Sequence, residues 1–124
     1  MGYGHAAPPA ELLYIATAIG TDATLMLVEK HGGCRIYILR RPIQRSRLAR
    51  DIGLDAVLAL AKVMGGDILP VPLAQTWLMK VYTLRHESAA QIARRLRMTE
   101  NTVYVLRRAM GISTPAGAAD AVAL

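Results

Sequence analysis

The stretch "IGTDATLMLVEKHGG" at 19–33 returns at an offset of 33 as "IGLDAVLALAKVMGG" at 52–66. In a chain of 124 residues this repeat constrains the fold more than any other feature, because whatever local structure one copy adopts, the other is equipped to adopt. Ile19/Ile52, Gly20/Gly53, Asp22/Asp55, Leu25/Leu58, Leu27/Leu60 and both glycine pairs coincide, and the likeness reaches back to Ala16/Ala49. Each copy reads as a helix, a Gly-Gly stop and a short strand, "CRIYIL" at 34–39 or "DILPVP" at 67–72. Thr21 suits a helix cap, and Asp55 suits a first turn, where negative charge is favoured. Leu54, Val57, Leu58, Ala61 and Met64 recur at three-to-four spacing, which predicts one buried face. Gly32 and Gly65 suit the left-handed position that ends a helix. Both pairs follow their helices, whereas a phosphate cradle precedes one, so they do not read as an anion loop.

Residues 35–39 are β-branched or aromatic often enough to form a strand. A lone strand leaves its backbone unsatisfied, so each must pair. Pro70 and Pro72 each lack a donor and confine the second strand to an edge or an end. Pairing within the chain and pairing with a second chain both satisfy these constraints.

The apolar fraction of 53%, with no Phe, is enough for a core and argues against disorder. The longest uncharged apolar run, 68–79, contains two prolines and is too short for a membrane span. The N-terminus has no positive n-region, and Ala6 stands where myristoylation wants Ser or Thr, so the expectation is a soluble intracellular chain without membrane partners. The single Cys34 excludes an intrachain disulfide and reads as a small buried hydrophobe. His5, His31 and His86 lack ligand-like spacing, so no metal or other cofactor is expected. The nine carboxylates are scattered, with no Ser or Cys set beside a His, and an enzyme is not expected.

Net charge is +6, and 12 of the 15 cations are arginines. Five lie at 40–50 with no acid among them, and 80–110 holds seven cations against Glu87 and Glu100. Arginine is the better phosphate fork, and clustering of this kind points to a polyanion.

After Pro72 the pattern becomes helical. Trp77, Leu78, Val81 and Leu84 predict a helix over about 73–86. Ser88 with Gln91 forms a capping box, Ile92 and Leu96 point inward, and Ala93 allows a close crossing. Thr99 caps a further helix with Val103, Leu106 and Met110 on its inner face. Two short helices with this spacing fit a helix-turn-helix, although Arg97 stands where the turn commonly has Gly. The outer side then offers Glu100, Asn101, Tyr104, Val105 and Arg108 to base edges. Arg94, Arg95, Thr99, Thr102 and Arg107, with Arg41, Arg45 and Arg47, are the candidate phosphate contacts.

"GGCRIYIL" and "GGDILPVP", followed by "MTENTVYVLRRAM", resemble the Mor transcription activator family of Mu-like phages and prophages. The resemblance covers roughly residues 12–110. It implies a dimeric DNA-binding activator of a phage operon that contacts host RNA polymerase, at work in the bacterial cytoplasm on the nucleoid. By position, Asn101, Thr102 and Tyr104 match the family's recognition helix, and Tyr37 and Ile38 match its strand. Leu39 replaces the expected Pro, and the helix-GG-strand unit is duplicated. The second copy, next to the DNA-binding region, is the better counterpart of the family's dimerisation unit.

The expected fold is therefore mainly α. Residues 1–72 form a tandem-repeat assembly domain, with copies at about 12–39 and 45–72 and a small β-ribbon. Residues 73–112 form a helix-turn-helix, and 113–124 a frayed tail. Tyr37, Ile38, Ile68 and Val71 are the candidate dimerisation residues. The expected function is sequence-specific double-stranded DNA binding by a homodimer. A protein-interaction module using the same helical pair, or a non-catalytic DNA-binding arm of a recombination system, are the alternatives. The two copies are expected to pack on each other as a pseudo-dimer within the chain, an arrangement that a strand-exchanged homodimer would exclude.

Overall fold

A computed structural model describes residues 7–111; His5, the N-terminal residues and the expected tail at 113–124 lie outside the described residues. Among the described residues the chain is mainly helical with a small two-stranded antiparallel sheet. It divides into two compact units, Pro8–Ala74 and the segment from Gln75 onward.

In the first unit each copy of the repeat contributes two helices and a strand. A 3-10 turn at Ala10–Leu12 leads into α1 (Leu13–Ile19), α2 (Thr21–His31) and β1 (Arg35–Tyr37). The second copy supplies α3 (Arg47–Ile52), α4 (Leu54–Met64) and β2 (Ile68–Pro70). Gly20 and Gly53 break the helices at φ +89° and +92°, a conformation that side chains with a Cβ seldom adopt. Gly20 occupies the cap position assigned above to Thr21, which becomes the first residue of α2.

The strands pair within the chain, Ile36 opposite Leu69, with Arg35 opposite Pro70 and Tyr37 opposite Ile68. Adding 33 to one member of each pair and subtracting 33 from the other reproduces the same set, so a pseudo-twofold axis passes through Ile36 and Leu69. The hydrogen bonds obey it. Gly33 N–H donates to Val71 O at 2.8 Å and Gly66 N–H to Ile38 O at 2.7 Å. Val71 N–H donates to Cys34 O at 2.8 Å and Ile38 N–H to Asp67 O at 2.9 Å. The helices exchange across the axis as well: α1 packs on α4, and α3 on α2.

The first glycine of each pair is required chiefly by its own helix, since a Cβ would lie 2.7 Å from Val28 O at Gly32 and 2.6 Å from Ala61 O at Gly65, and the exchange adds a second neighbour. A Cβ on Gly65 would lie 3.1 Å from the Arg40 Cα, and one on Gly32 would lie 3.5 Å from the Leu73 Cα; Arg40 and Leu73 are themselves 33 apart. The chain leaving each strand thus runs over the glycines of the other copy. The left-handed residues are Gly33 and Gly66, at φ +84° and +92°; Gly32 and Gly65 have ordinary negative φ, contrary to the helix-end expectation.

The core of this unit is Leu12, Ile15, Leu25, Leu27, Val28, Ile38, Ile52, Val57, Leu60, Leu69 and Val71. Burial of each large side chain contributes roughly 2 kcal/mol. A bare two-stranded ribbon is marginal in water, so this helical layer is what sustains it. The stripe predicted for α4 is rotated: Val57 and Leu60 are buried, while Leu58 is 42% exposed because the partner helix approaches from the side of residue 60. Cys34 is exposed rather than buried: it precedes β1, in the turn between the Gly-Gly pair and the strand, so the side-chain alternation of the sheet does not reach it.

The second unit contains α5 (Gln75–Leu84), α6 (Ala89–Leu96) and α7 (Glu100–Ala109). Among the described residues no single helix is long and apolar enough to cross a membrane.

Candidate nucleic-acid interface

α5 is the support for the two helices that follow. Trp77, Leu78, Met79, Val81, Tyr82 and Thr83 are all buried on it. The capping box at the start of α6 is complete: Gln91 N–H donates to Ser88 Oγ at 3.2 Å, and Ser88 N–H donates to Gln91 Oε1 at 2.9 Å. Ile92, Ala93 and Leu96 form its buried side. Gln75 Nε2 donates to Leu96 O at 3.1 Å, covering one carbonyl orphaned at the helix end.

The turn is set by Arg97, at φ 56° and ψ 48°. This left-handed conformation costs a residue with a Cβ roughly 1 kcal/mol. It lets the Arg97 and Met98 amides both donate to Ala93 O. Thr99 then caps α7: its Oγ1 accepts from Thr102 N–H at 3.1 Å and shares a second bond with Thr102 Oγ1 at 2.8 Å.

α7 presents two contrasting sides. Val103 is fully buried beside the half-buried Leu106. Met110 is 38% exposed because α7 ends at Ala109, so the third residue of the expected inner stripe falls beyond the last turn. Arg107 takes the inward position instead. Only 3% exposed, it donates from Nε to Thr83 Oγ1 at 3.1 Å and from Nη2 to Glu87 O at 3.4 Å. Its assignment to phosphate is therefore corrected: four residues after Val103, it lies on the same side of the helix, and its donors are used to tie α7 to α5 and the following turn.

Of the candidate base contacts, Glu100, Asn101, Val105 and Arg108 are exposed, whereas Tyr104 is half-buried and engaged within the protein. Asn101, Val105 and Arg108 follow one another at spacings of four and three, so they form one outward stripe. Of the candidate phosphate contacts, Arg94, Thr99 and Thr102 are exposed. Arg95 is exposed but engaged, with its Nε 2.9 Å from Glu87 Oε1 and its guanidinium 4.6 Å from the centre of the Tyr82 ring. Arg41, Arg45 and Arg47 belong to the other compact unit, exposed on the segment that leads into α3 and at its first residue.

The four candidate dimerisation residues divide evenly. Tyr37 and Ile68 are exposed across from each other on the sheet. Ile38 and Val71 are 0% and 3% exposed, consumed by pairing inside the chain, which corrects their assignment to a seam with a second chain. Among the described residues no group of three His, Cys, Asp or Glu side chains is placed to hold a metal ion. Comparison with protein families, with characterised proteins and with solved structures gives no match.

Proposed function

We propose that this chain is a sequence-specific, double-stranded DNA-binding transcription regulator. α6 and α7 form its helix-turn-helix, and α7 enters the major groove. The observation that carries the reading is the two-sidedness of α7: Val103 and Arg107 anchor it inward, while Asn101, Val105 and Arg108 face solvent in one line. Those outward residue types suit base edges, Asn for adenine, Arg for guanine and Val for a thymine methyl, with Glu100 able to accept from cytosine. Arg94, Thr99 and Thr102 surround that line with phosphate ligands, and the exposed arginines at 41, 45 and 47 add a second cationic surface. The resemblance to the Mor activators extends the proposal to activation of a phage or prophage operon through host RNA polymerase, on the bacterial nucleoid. Binding by two chains matches a two-fold operator, with recognition helices about one DNA turn apart. The seam between those chains lies outside the strand pairing, which each chain completes by itself.

The test is fluorescence anisotropy with a duplex selected from random sequence and with mixed-sequence duplex, each over a range of salt. Arg108→Ala is expected to reduce discrimination between the two duplexes. Arg94→Ala should weaken both and flatten the salt slope by about one unit. Sedimentation on the selected duplex is expected to give two chains per site. The absence of salt-dependent binding to either duplex would overturn the reading in favour of a protein-interaction module.

A further inference from the structure

The pseudo-twofold axis supplies an internal control, and at one place the two sides differ. A cavity of about 230 Å³ is lined by Ile36, Leu48 and Val57, with His31, Ser46 and Arg47 among its other walls. Moving each residue by 33 positions gives its counterpart across the axis. There Leu69, Ile15 and Thr24 are at most 1% exposed, so the three counterparts of the apolar wall are covered. On the cavity side Ile36 and Leu48 are only half-buried. The polar residues are also specific to this side: His31, Ser46 and Arg47 stand where the other copy has Met64, Leu13 and Tyr14.

The chemistry of the lining selects a class of ligand. Leu39 and the ring of Tyr37 join the aliphatic wall. The volume exceeds the roughly 150 Å³ of a dry cavity that holds benzene and falls below the roughly 300 Å³ at which drug-sized sites begin. Arg47 is exposed and carries the fork that matches a carboxylate. Ser46 Oγ accepts from Ala49 N–H at 3.2 Å, which leaves its own O–H proton to donate. The nearby Asp51 carboxylate is held by His31 Nε2 at 2.7 Å, so an anion at Arg47 meets a carboxylate that is already engaged.

We propose that this cavity is a binding site for a small monocarboxylate with a compact apolar body, such as an aryl acid. Its carboxylate is received by Arg47 and Ser46, and its body lies among Ile36, Leu39, Leu48 and Val57. The site lies within one compact unit and does not depend on the DNA-binding reading.

The experiment titrates the full chain with benzoate and, separately, with benzyl alcohol, following backbone amide resonances by NMR. Benzoate is expected to give saturable shifts centred on residues 36, 39, 48 and 57. Arg47→Gln should weaken benzoate by about tenfold or more, the effect of losing a charge-assisted hydrogen bond, and leave benzyl alcohol unchanged. Leu39→Trp, at a position 43% exposed, narrows the cavity without touching the Ser46 cap and should weaken both probes. Equal affinity for the two probes, indifferent to Arg47→Gln, would overturn the carboxylate assignment. Absence of saturable shifts at these amides, or binding that survives Leu39→Trp, would overturn the site itself.

Discussion

The unit Pro8–Ala74 and the unit from Gln75 onward are both mostly helical, yet their helices end by different means. In the first, α1, α2, α3 and α4 end at glycines, and much of the ordering comes from one copy of the repeat lying against the other. In the second, α6 ends at Arg97 and α7 at Met110, neither a glycine, and both helices begin at hydroxyl caps, Ser88 and Thr99, a device the first unit uses once, at Ser46 on α3. Their surfaces differ in the same sense. Ten large apolar residues are exposed in the first unit, among them Tyr14, Tyr37, Val63 and Ile68, against Val105 and Met110 among the described residues of the second. Glycine termini allow two backbones to approach closely, which suits a unit built by self-pairing. Side-chain caps let a short helix pair stand with a polar, cationic side toward solvent.

The largest effect that would break this contrast is expected at Arg107. Arg107→Ala removes a buried stem together with bonds to Thr83 and Glu87 O, and should destabilise the second unit by about 2 kcal/mol. Arg107→Met should recover most of this, because it restores the stem without a charge to desolvate. The sole tryptophan, Trp77, is buried on α5, so urea unfolding followed by its fluorescence reports on this unit. Unchanged stability combined with a shallower DNA salt slope would return Arg107 to the phosphate contacts.

A smaller effect probes the pseudo-symmetry. Gly33→Ala and Gly66→Ala each place a Cβ at strongly positive φ, and each should cost about 1 kcal/mol. In chemical denaturation, read by circular dichroism, the loss is expected to be somewhat larger at Gly66, whose Cβ would lie 2.5 Å from the flexible Arg40 Nε, than at Gly33, whose Cβ would lie 3.2 Å from Leu73 Cδ2. A gap of more than about 1 kcal/mol would mean that the two turns are not equivalent, whatever their hydrogen bonds suggest. The smallest change is a gain. Arg97→Gly relieves the left-handed turn and should raise stability by a few tenths to about 1 kcal/mol, since the more flexible unfolded chain offsets part of the relief. A loss would show that the Arg97 side chain stabilises the turn beyond what its backbone costs.

Much of the second unit was legible because its signals are local. The Ser88–Gln91 box, the Thr99 cap, the left-handed Arg97 and the inward Ile92, Leu96 and Val103 all follow from residues within a few positions of one another. Arg107 was misread for the opposite reason. Helical spacing sets it beside Val103, but an arginine is ordinarily placed outside, and only Thr83 and the Glu87 carbonyl, brought close by packing, give it partners inside. Leu58 was misread because periodicity yields an apolar stripe and not the direction from which the neighbouring helix arrives. The cavity was not legible at all, since it depends on Ser46 and Arg47 standing where Leu13 and Tyr14 stand on the other side.

By itself the sequence determined that one structural unit is used twice, that two short capped helices follow it, and that cations gather on and around them, because repetition, capping and charge are properties of neighbouring residues. The tertiary structure decided that the copies pair within a single chain about Ile36 and Leu69, that Ile38 and Val71 are used up there, and that Arg107 points inward. Those outcomes depend on which distant atoms satisfy a backbone donor or a guanidinium, and that partnership exists only once the chain has closed on itself.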